Sequence, residues 1–257
     1  MPDRFLCWTL ALYLLLAAGQ GSAQQASIDL TAYQSFEGFI DTWWDEETGR
    51  MLVRVEEFDV PFIYQTSLPR GVGSNDLGID RGQLGSTKIV RFMRSGPKIL
   101  LVEDNLQYRA RSDNAAERQA ITESFARSVI WGFTDIDSDA TSTIIDATEF
   151  FVRDSHALGA RLAAAGEGSF SVDDSRSAIF LPRTKAFPDN TEIEAIITLV
   201  GSATGPHLPT VVPDSNALTV HVHHSFIRLP DDNYEPLPYD PRAGVIGLRY
   251  DSGGFAD

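Results

Sequence analysis

From Phe36 onward the chain consists largely of short runs with an apolar residue at every second position, broken by glycine, proline and aspartate. A period of two commits a chain to strands with one buried and one solvated face, and so to sheet architectures. The clearest run is LTVHVHHSFIRLP. GFIDTWWDEETGRMLVRV reads as two strands joined at Asp45–Gly49, where Gly49 supplies a left-handed conformation. PFIYQTSL is a further strand, and STKIVRFMRSGPKILLVEDNLQYRA holds two more, turned at Ser95-Gly96-Pro97. Thr143–Ala147, SAIFLPRTKAF and TEIEAIITLVG continue the pattern.

The period changes twice. Asn114 with Glu117 three positions later resembles a capping box, and Ile121, Phe125, Val129 and Gly132 follow at helical spacing. This predicts a helix over about 115–131, with Glu123 and Arg127 paired on its outer side. HALGARLAAAG predicts a second, over about 156–165, ending at Gly166. The expected fold is therefore α+β: a single domain, mainly antiparallel β-sheet, with two helices.

The N-terminus reads as an export signal. MPDR precedes an apolar run from Phe5 to Ala18, followed by small residues at Gly21 and Ala23. Fourteen apolar residues fall short of a spanning helix, so cleavage after Ala23 is expected and no membrane association thereafter. The sole cysteine, Cys7, leaves with the signal, so no disulfide supports the remainder and the core must do so. Residues 24–35 are polar and read as a flexible lead-in. The net charge of −15 argues against nucleic acid and against adsorption to an anionic membrane. The expected location is periplasmic or secreted.

Several motifs bear on chemistry. GVGSNDLGIDRGQLG, from Gly71 to Gly85, carries five glycines, yet no Lys-Ser or Lys-Thr follows them and a strand comes next, so it is not a phosphate loop. It is either an irregular connection or a ligand-facing loop whose contacts are Asn75, Asp76, Asp80, Arg81 and Gln83. DIDSDATSTIID, from Asp135 to Asp146, spaces its first three aspartates as a calcium loop does. Ala140 replaces the required glycine and Asp146 the final glutamate, which favours a solvated acidic turn. In HVHH, His221 and His223 share one strand face and His224 takes the other. Two imidazoles fall short of a zinc site, and no Cys or Glu nearby in sequence completes the set, although Asp231 and Asp232 lie beyond the strand. Cross-strand hydrogen bonding is the expectation. Asp45, Glu46 and Glu47 read as a solvated run in a turn. Trp43 and Trp44 are strand neighbours, so one faces outward and is a candidate for stacking a sugar or gripping a partner.

The blocks GSNDLGIDRGQLGSTKIVRFMRSGPKILLVEDNLQYRARSDNAAERQAITESFARSVIWGF, DATEFFVRDSHALGARL, SRSAIFLPRTKAFPDNTEIEAIITLVG and HHSFIRLPDDNYEPLPYDPRAG follow one another in order. Together they resemble the N-terminal domain, a domain of unknown function, of exported bacterial zinc-dependent metallopeptidases akin to the gluzincins. The similarity runs over 36–247, leaving 248–257 as a divergent tail. The resemblance implies a non-catalytic accessory domain that packs on a peptidase catalytic domain and shapes its cleft, with peptide substrate as a further partner. It implies zinc only in that other domain, which this chain is expected to lack. No His here is followed by Glu, so no ligand or catalytic residue carries over. The alternative is a stand-alone module binding peptide or glycan outside the cytoplasm.

Overall fold

The alternating runs become one antiparallel sheet in the computed structural model, which describes residues 28–233 apart from positions 109, 111, 140 and 232. The expected signal peptide and divergent tail lie outside these residues. The strands are β1 (Gln34–Phe36), β2 (Thr42–Asp45), β3 (Arg50–Val55), β4 (Phe62–Arg70), β5 (Lys88–Ser95), β6 (Lys98–Glu103) and β7 (Ser128–Ser138). They continue as β8 (Thr143–Asp146), β9 (Gly168–Val172), β10 (Ala178–Ile179), β11 (Lys185–Phe187), β12 (Asn190–Ala203) and β13 (Ala217–Arg228). Their order across the sheet is β1-β2-β3-β8-β7-β6-β5-β4-β13-β12-β10, with β9 and β11 also paired to β12.

Twist and curl bring the two ends of this sheet together as a nearly closed barrel. The seam is formed by Phe39, whose amide donates to the Phe187 carbonyl at 2.7 Å, and by Ile40, whose amide donates to Thr191 Oγ1 at 3.0 Å. Thr191 Oγ1 in turn donates to the Ile40 carbonyl at 2.9 Å. The seam satisfies edge groups that would otherwise remain open to pairing.

Inside lies an aromatic core. The four-residue helix α2 (Thr148–Phe151) inserts Phe150, whose ring centroid is 5.5 Å from those of Tyr64 and Phe133 and 6.3 Å from that of Phe226. A second core under the other half of β12 and β13 gathers Ile197, Leu199, Val220 and Val222 against Leu158 and Leu162 of helix α3 (Leu158–Ala164). Leu208 of α4 (Leu208–Val211) joins it.

The α+β expectation with two helices is corrected by these elements: the fold is predominantly β, and the described residues hold four helices. The expected helix over 115–131 is helix α1 (Ala115–Ser124), capped by Asn114, whose Oδ1 accepts from the Ala116 amide at 3.0 Å. The last residues of the expected span, from Ser128, are strand. The β-branched and aromatic run Val129-Ile130-Trp131 enters β7 and pairs with β6, which contributes more than a helix with no buried residue. Glu123 consequently bonds Gln119 at 2.6 Å rather than Arg127. The second expected helix corresponds to α3. Part of the expected lead-in, 28–35, holds a 3-10 turn (Leu30–Ala32) and the start of β1.

The seam requires glycine at position 38. A Cβ there would stand 2.6 Å from both the backbone nitrogen and the oxygen of Phe187. Gly38→Ala is expected to cost about 1–3 kcal/mol through displaced backbone. The measurement is urea unfolding: a lower midpoint at unchanged slope is expected, and an unchanged midpoint would show that the seam is soft.

Candidate functional site

The longest ladder in the sheet pairs β12 with β13 over eleven positions, from Asn190–Ile227 to Val200–Ala217. Odd-numbered residues of β12 from Thr191 to Leu199 face the core, so Glu192 and Glu194 share the outer face. The register sets Glu194 opposite His223 and Glu192 opposite Ser225. His221 Nδ1 lies 2.7 Å from Glu194 Oε1, and His223 Nε2 lies 2.7 Å from Glu192 Oε2. His223 Nδ1 is 3.5 Å from Glu194 Oε2, so both its ring nitrogens face carboxylates. That environment suits the imidazolium.

Burial works against charge on His223, but the Glu192 hydrogen bond and the two carboxylate charges outweigh it and raise its pKa above the usual 6.5. Burial likewise opposes charge on Glu192, yet donation from His223, Ser225 and Asn190 lowers its pKa below the usual 4.5. His224, one residue on, points into the core. Its Nε2 donates to the Phe151 carbonyl at 3.1 Å, which leaves Nδ1 to accept from Tyr64 OH at 2.8 Å. Burial, then the nearby Arg153 charge, brings the His224 pKa down to about 3.

A bulge beside this cluster opens a cleft. Between His221 and His223 the pairing with β4 moves from Arg70 to Ser67, so three residues of β4 span two of β13. Leu68 turns away and bonds the loop, donating to the Gln83 carbonyl at 2.9 Å and accepting from the Gly82 amide at 2.7 Å. Pro69, which has no amide to offer a ladder, sits in the bulge. Such irregularities re-aim side chains. The resulting cleft of about 820 Å³ is walled by Ser67, Arg70, Arg81 and Arg183 and floored by Glu194 and His223.

The loop of Gly71–Gly85 therefore does border a cleft, through Arg81, but most of its polar residues are committed elsewhere. With its amide turned to donate, Asn75 reaches the Asp80 carboxylate at 3.1 and 3.3 Å. Gln83 Oε1 accepts from Arg161 at 2.7 Å, and Asp76 lies 3.7 Å from His207. Leu77 and Ile79 anchor the loop in the second core.

The remaining candidates are structural in their contacts. Trp43 is 7% exposed: it packs on Leu52 and Ile144, beneath Ile28, Leu30 and Tyr33, with the Arg54 guanidinium 4.6 Å from its ring. Trp44 is half-buried against the main core. The outward indole expected for stacking is thus covered, partly by the lead-in itself. Asp45 is 7% exposed, corrected from a solvated role, and accepts from the Glu47 amide at 3.1 Å and Thr48 Oγ1 at 2.5 Å, while Glu46 and Glu47 are exposed. The calcium-like segment is a β7–β8 hairpin. In it Asp139 takes the Thr141 and Ser142 amides at 2.7 Å each, Asp135 pairs with Arg94 at 3.1 Å, and Asp146 caps Thr148 at 3.0 Å. Among the described residues no three His, Cys, Asp or Glu side chains converge as a metal site. Asp232 lies outside the described residues.

Sequence reasoning missed Glu192, Glu194, Arg70 and Arg183. The available signal was two paired spacings, Glu-x-Glu and His-x-His, on strands with a common turn.

Fold and site define an antiparallel, barrel-like β domain with a charged lateral cleft. Residues 82–251, about two thirds of the chain, match the model of a family described as a domain of unknown function, DUF5117, and the chain belongs to that family. No curated protein and no solved structure matches the chain. Among the described residues no helix is long and apolar enough to cross a membrane.

The His223–Glu192 pair has a defined pH signature. The raised His223 pKa adds stability that is present below 6.5 and is lost as pH rises through its folded value. The lowered Glu192 pKa adds stability that is present above 4.5 and is lost as pH falls through its folded value. Glu192→Gln should therefore destabilise most between about pH 4.5 and 6.5 and progressively less in alkali. Denaturation across pH, with NMR titration of His223, checks this; a pH-independent penalty would remove the pair from the account.

Proposed function

We propose that the chain is a non-catalytic domain of an exported zinc-dependent metallopeptidase, working in the periplasm or medium by packing on the peptidase domain and walling one side of its substrate cleft. The observation that carries this reading is the coincidence of two features. The longest sequence block resembling that family opens inside the Gly71–Gly85 loop, and this loop supplies Arg81 to the largest cleft described above. Loops held on a rigid sheet are favoured positions for recognition. Here the loop is pinned by Leu77, Ile79 and the Leu68 hydrogen bonds, so its outward groups are presented at little entropic cost.

Zinc belongs, in this reading, to the peptidase domain. His221 and His223 are engaged by Glu194 and Glu192, and no catalytic step is assigned to them. A glycan- or peptide-binding module relying on Trp43 or Trp44 has less support, because Trp43 is buried and Trp44 is half-buried against the main core.

The test compares the purified chain alone with the chain mixed with, or fused to, an H-E-x-x-H peptidase domain of the resembling family. Alone, it should hold no stoichiometric zinc and cleave no casein. Together, it should lower the peptidase KM for protein substrate several-fold with kcat little changed, the mark of binding shared by ground and transition states. Zinc with turnover in the chain alone, or no effect on the peptidase, overturns the reading.

A further inference from the structure

The cleft beside the His–Glu ladder contains an imbalance of charge that the fold does not use. Acidic residues outnumber basic ones, 36 to 21, so a free arginine has carboxylates to choose from. Arg50, Arg54, Arg91, Arg94, Arg176 and Arg228 each reach one. Arg81 and Arg183 do not: among the described residues neither side chain has a hydrogen bond, an ion pair or a ring contact. Arg70 only leans over the Phe180 ring, at 5.5 Å. These three guanidinium groups come from separate elements, the β4 end, the glycine-rich loop and the 3-10 turn Leu181–Arg183, and border one cleft.

We propose that this cleft binds a carboxylate-bearing peptide, with Arg70, Arg81 and Arg183 as its carboxylate clamp and Glu194 as acceptor for a peptide N–H. Planar guanidinium forks match a carboxylate edge to edge, so three arginines lining one cleft without a carboxylate partner among the described residues suit an oxyanion. The floor selects among oxyanions. Glu192 is saturated by His223, Ser225 and Asn190, whereas Glu194, which lines the cleft, has one close donor, His221 at 2.7 Å, and a longer contact to His223 at 3.5 Å, so its Oε2 has acceptor capacity left. A phosphate, carrying up to two charges and few donors, meets repulsion there. A peptide offers its carboxylate to the rim and its amides to Glu194. A volume of about 820 Å³ admits a few residues of extended chain.

This inference deepens the accessory-domain reading by naming the chemistry of its cleft, and it rests on that reading for its biological setting. It is nevertheless measured on the chain alone. Peptide binding without effect on a peptidase would leave the clamp standing and the accessory role fallen; the converse result would do the opposite.

The probe is fluorescein-labelled Gly-Ala-Ala-Ala with a free C-terminus, compared by anisotropy with its C-terminal amide and with an amidated version carrying one internal glutamate. Inorganic phosphate serves as competitor. The free-carboxylate peptide is expected to bind, its amide about tenfold or more weaker. Arg81→Ala and Arg183→Ala should each weaken binding by about tenfold while leaving thermal stability unchanged, because both residues are exposed and, among the described residues, neither side chain has a hydrogen bond, an ion pair or a ring contact. Arg81→Lys should restore only part of the loss, as a point charge lacks the fork. Equal binding of the internal-glutamate peptide would support the clamp and extend it to acidic side chains as well as chain ends. Failure of every peptide, indifference to both arginines, or binding of phosphate in preference to peptide would overturn the proposal.

Discussion

The pairing of β12 with β13 is the constraint from which both the interior and the cleft follow. Side chains alternate faces along each strand, so one register settles two surfaces at once. The inner surface delivers Ile193 and Phe226 to the aromatic core and Ile197, Leu199, Val220 and Val222 to the second. The outer surface delivers Glu192, Glu194, His221 and His223 to one another. A slip of one residue would put carboxylates into the barrel and isoleucines onto the cleft floor. The cost of burying unpaired charge thus guards the register as firmly as the gain from burying the apolar face.

The bulge in β4 turns that regular ladder into a site. If β4 had continued in step, Pro69 would have interrupted a hydrogen-bonded pair and the Gly71–Gly85 loop would have had no edge to join. By releasing Leu68 from β13, the bulge lets the loop pair with β4 through Gly82 and Gln83 and brings Arg81 alongside Arg70. Gly71 then runs against the strand-like return of the loop so closely that a Cβ would lie 2.2 Å from the Ile79 carbonyl oxygen. At this position glycine answers to tight packing, whereas Gly73, Gly78 and Gly82 of the same loop take positive φ.

Strand positions were legible because alternation is local, and so were the turns at Asp45–Gly49 and Ser95–Pro97 and the cap at Asn114. What alternation cannot supply is partnership. Glu194 stands 27 positions before His221, and Glu192 stands 31 before His223; only the register between strands connects them. The helix expected over 115–131 failed for a related reason. Ile121, Phe125 and Val129 lie at helical spacing, yet no surface exists for that stripe to pack on, whereas Val129 finds Val102 across a strand pair. Trp43 shows the same limit from outside the barrel: its outward direction was legible, but the covering by Ile28, Leu30 and Tyr33 was not.

Two adjacent histidines show how the fold divides charge between its faces. His224 is held neutral by burial among Tyr64, Phe150 and Phe151, with Arg153 further opposing a proton. His223, on the opposite face, is drawn toward the charged form by Glu192 and Glu194. One strand therefore carries a structural hydrogen bond inward and a counter-ion outward. The outward charge matters for the cleft: His223 lies between Glu192 and the cleft-lining Glu194 and offsets part of their acidity. Arg70, Arg81 and Arg183 line that cleft beside a single carboxylate, Glu194, so cationic groups outnumber anionic ones among its lining residues. In a chain with 36 acidic and 21 basic residues, that local excess of arginine reverses the overall balance of charge.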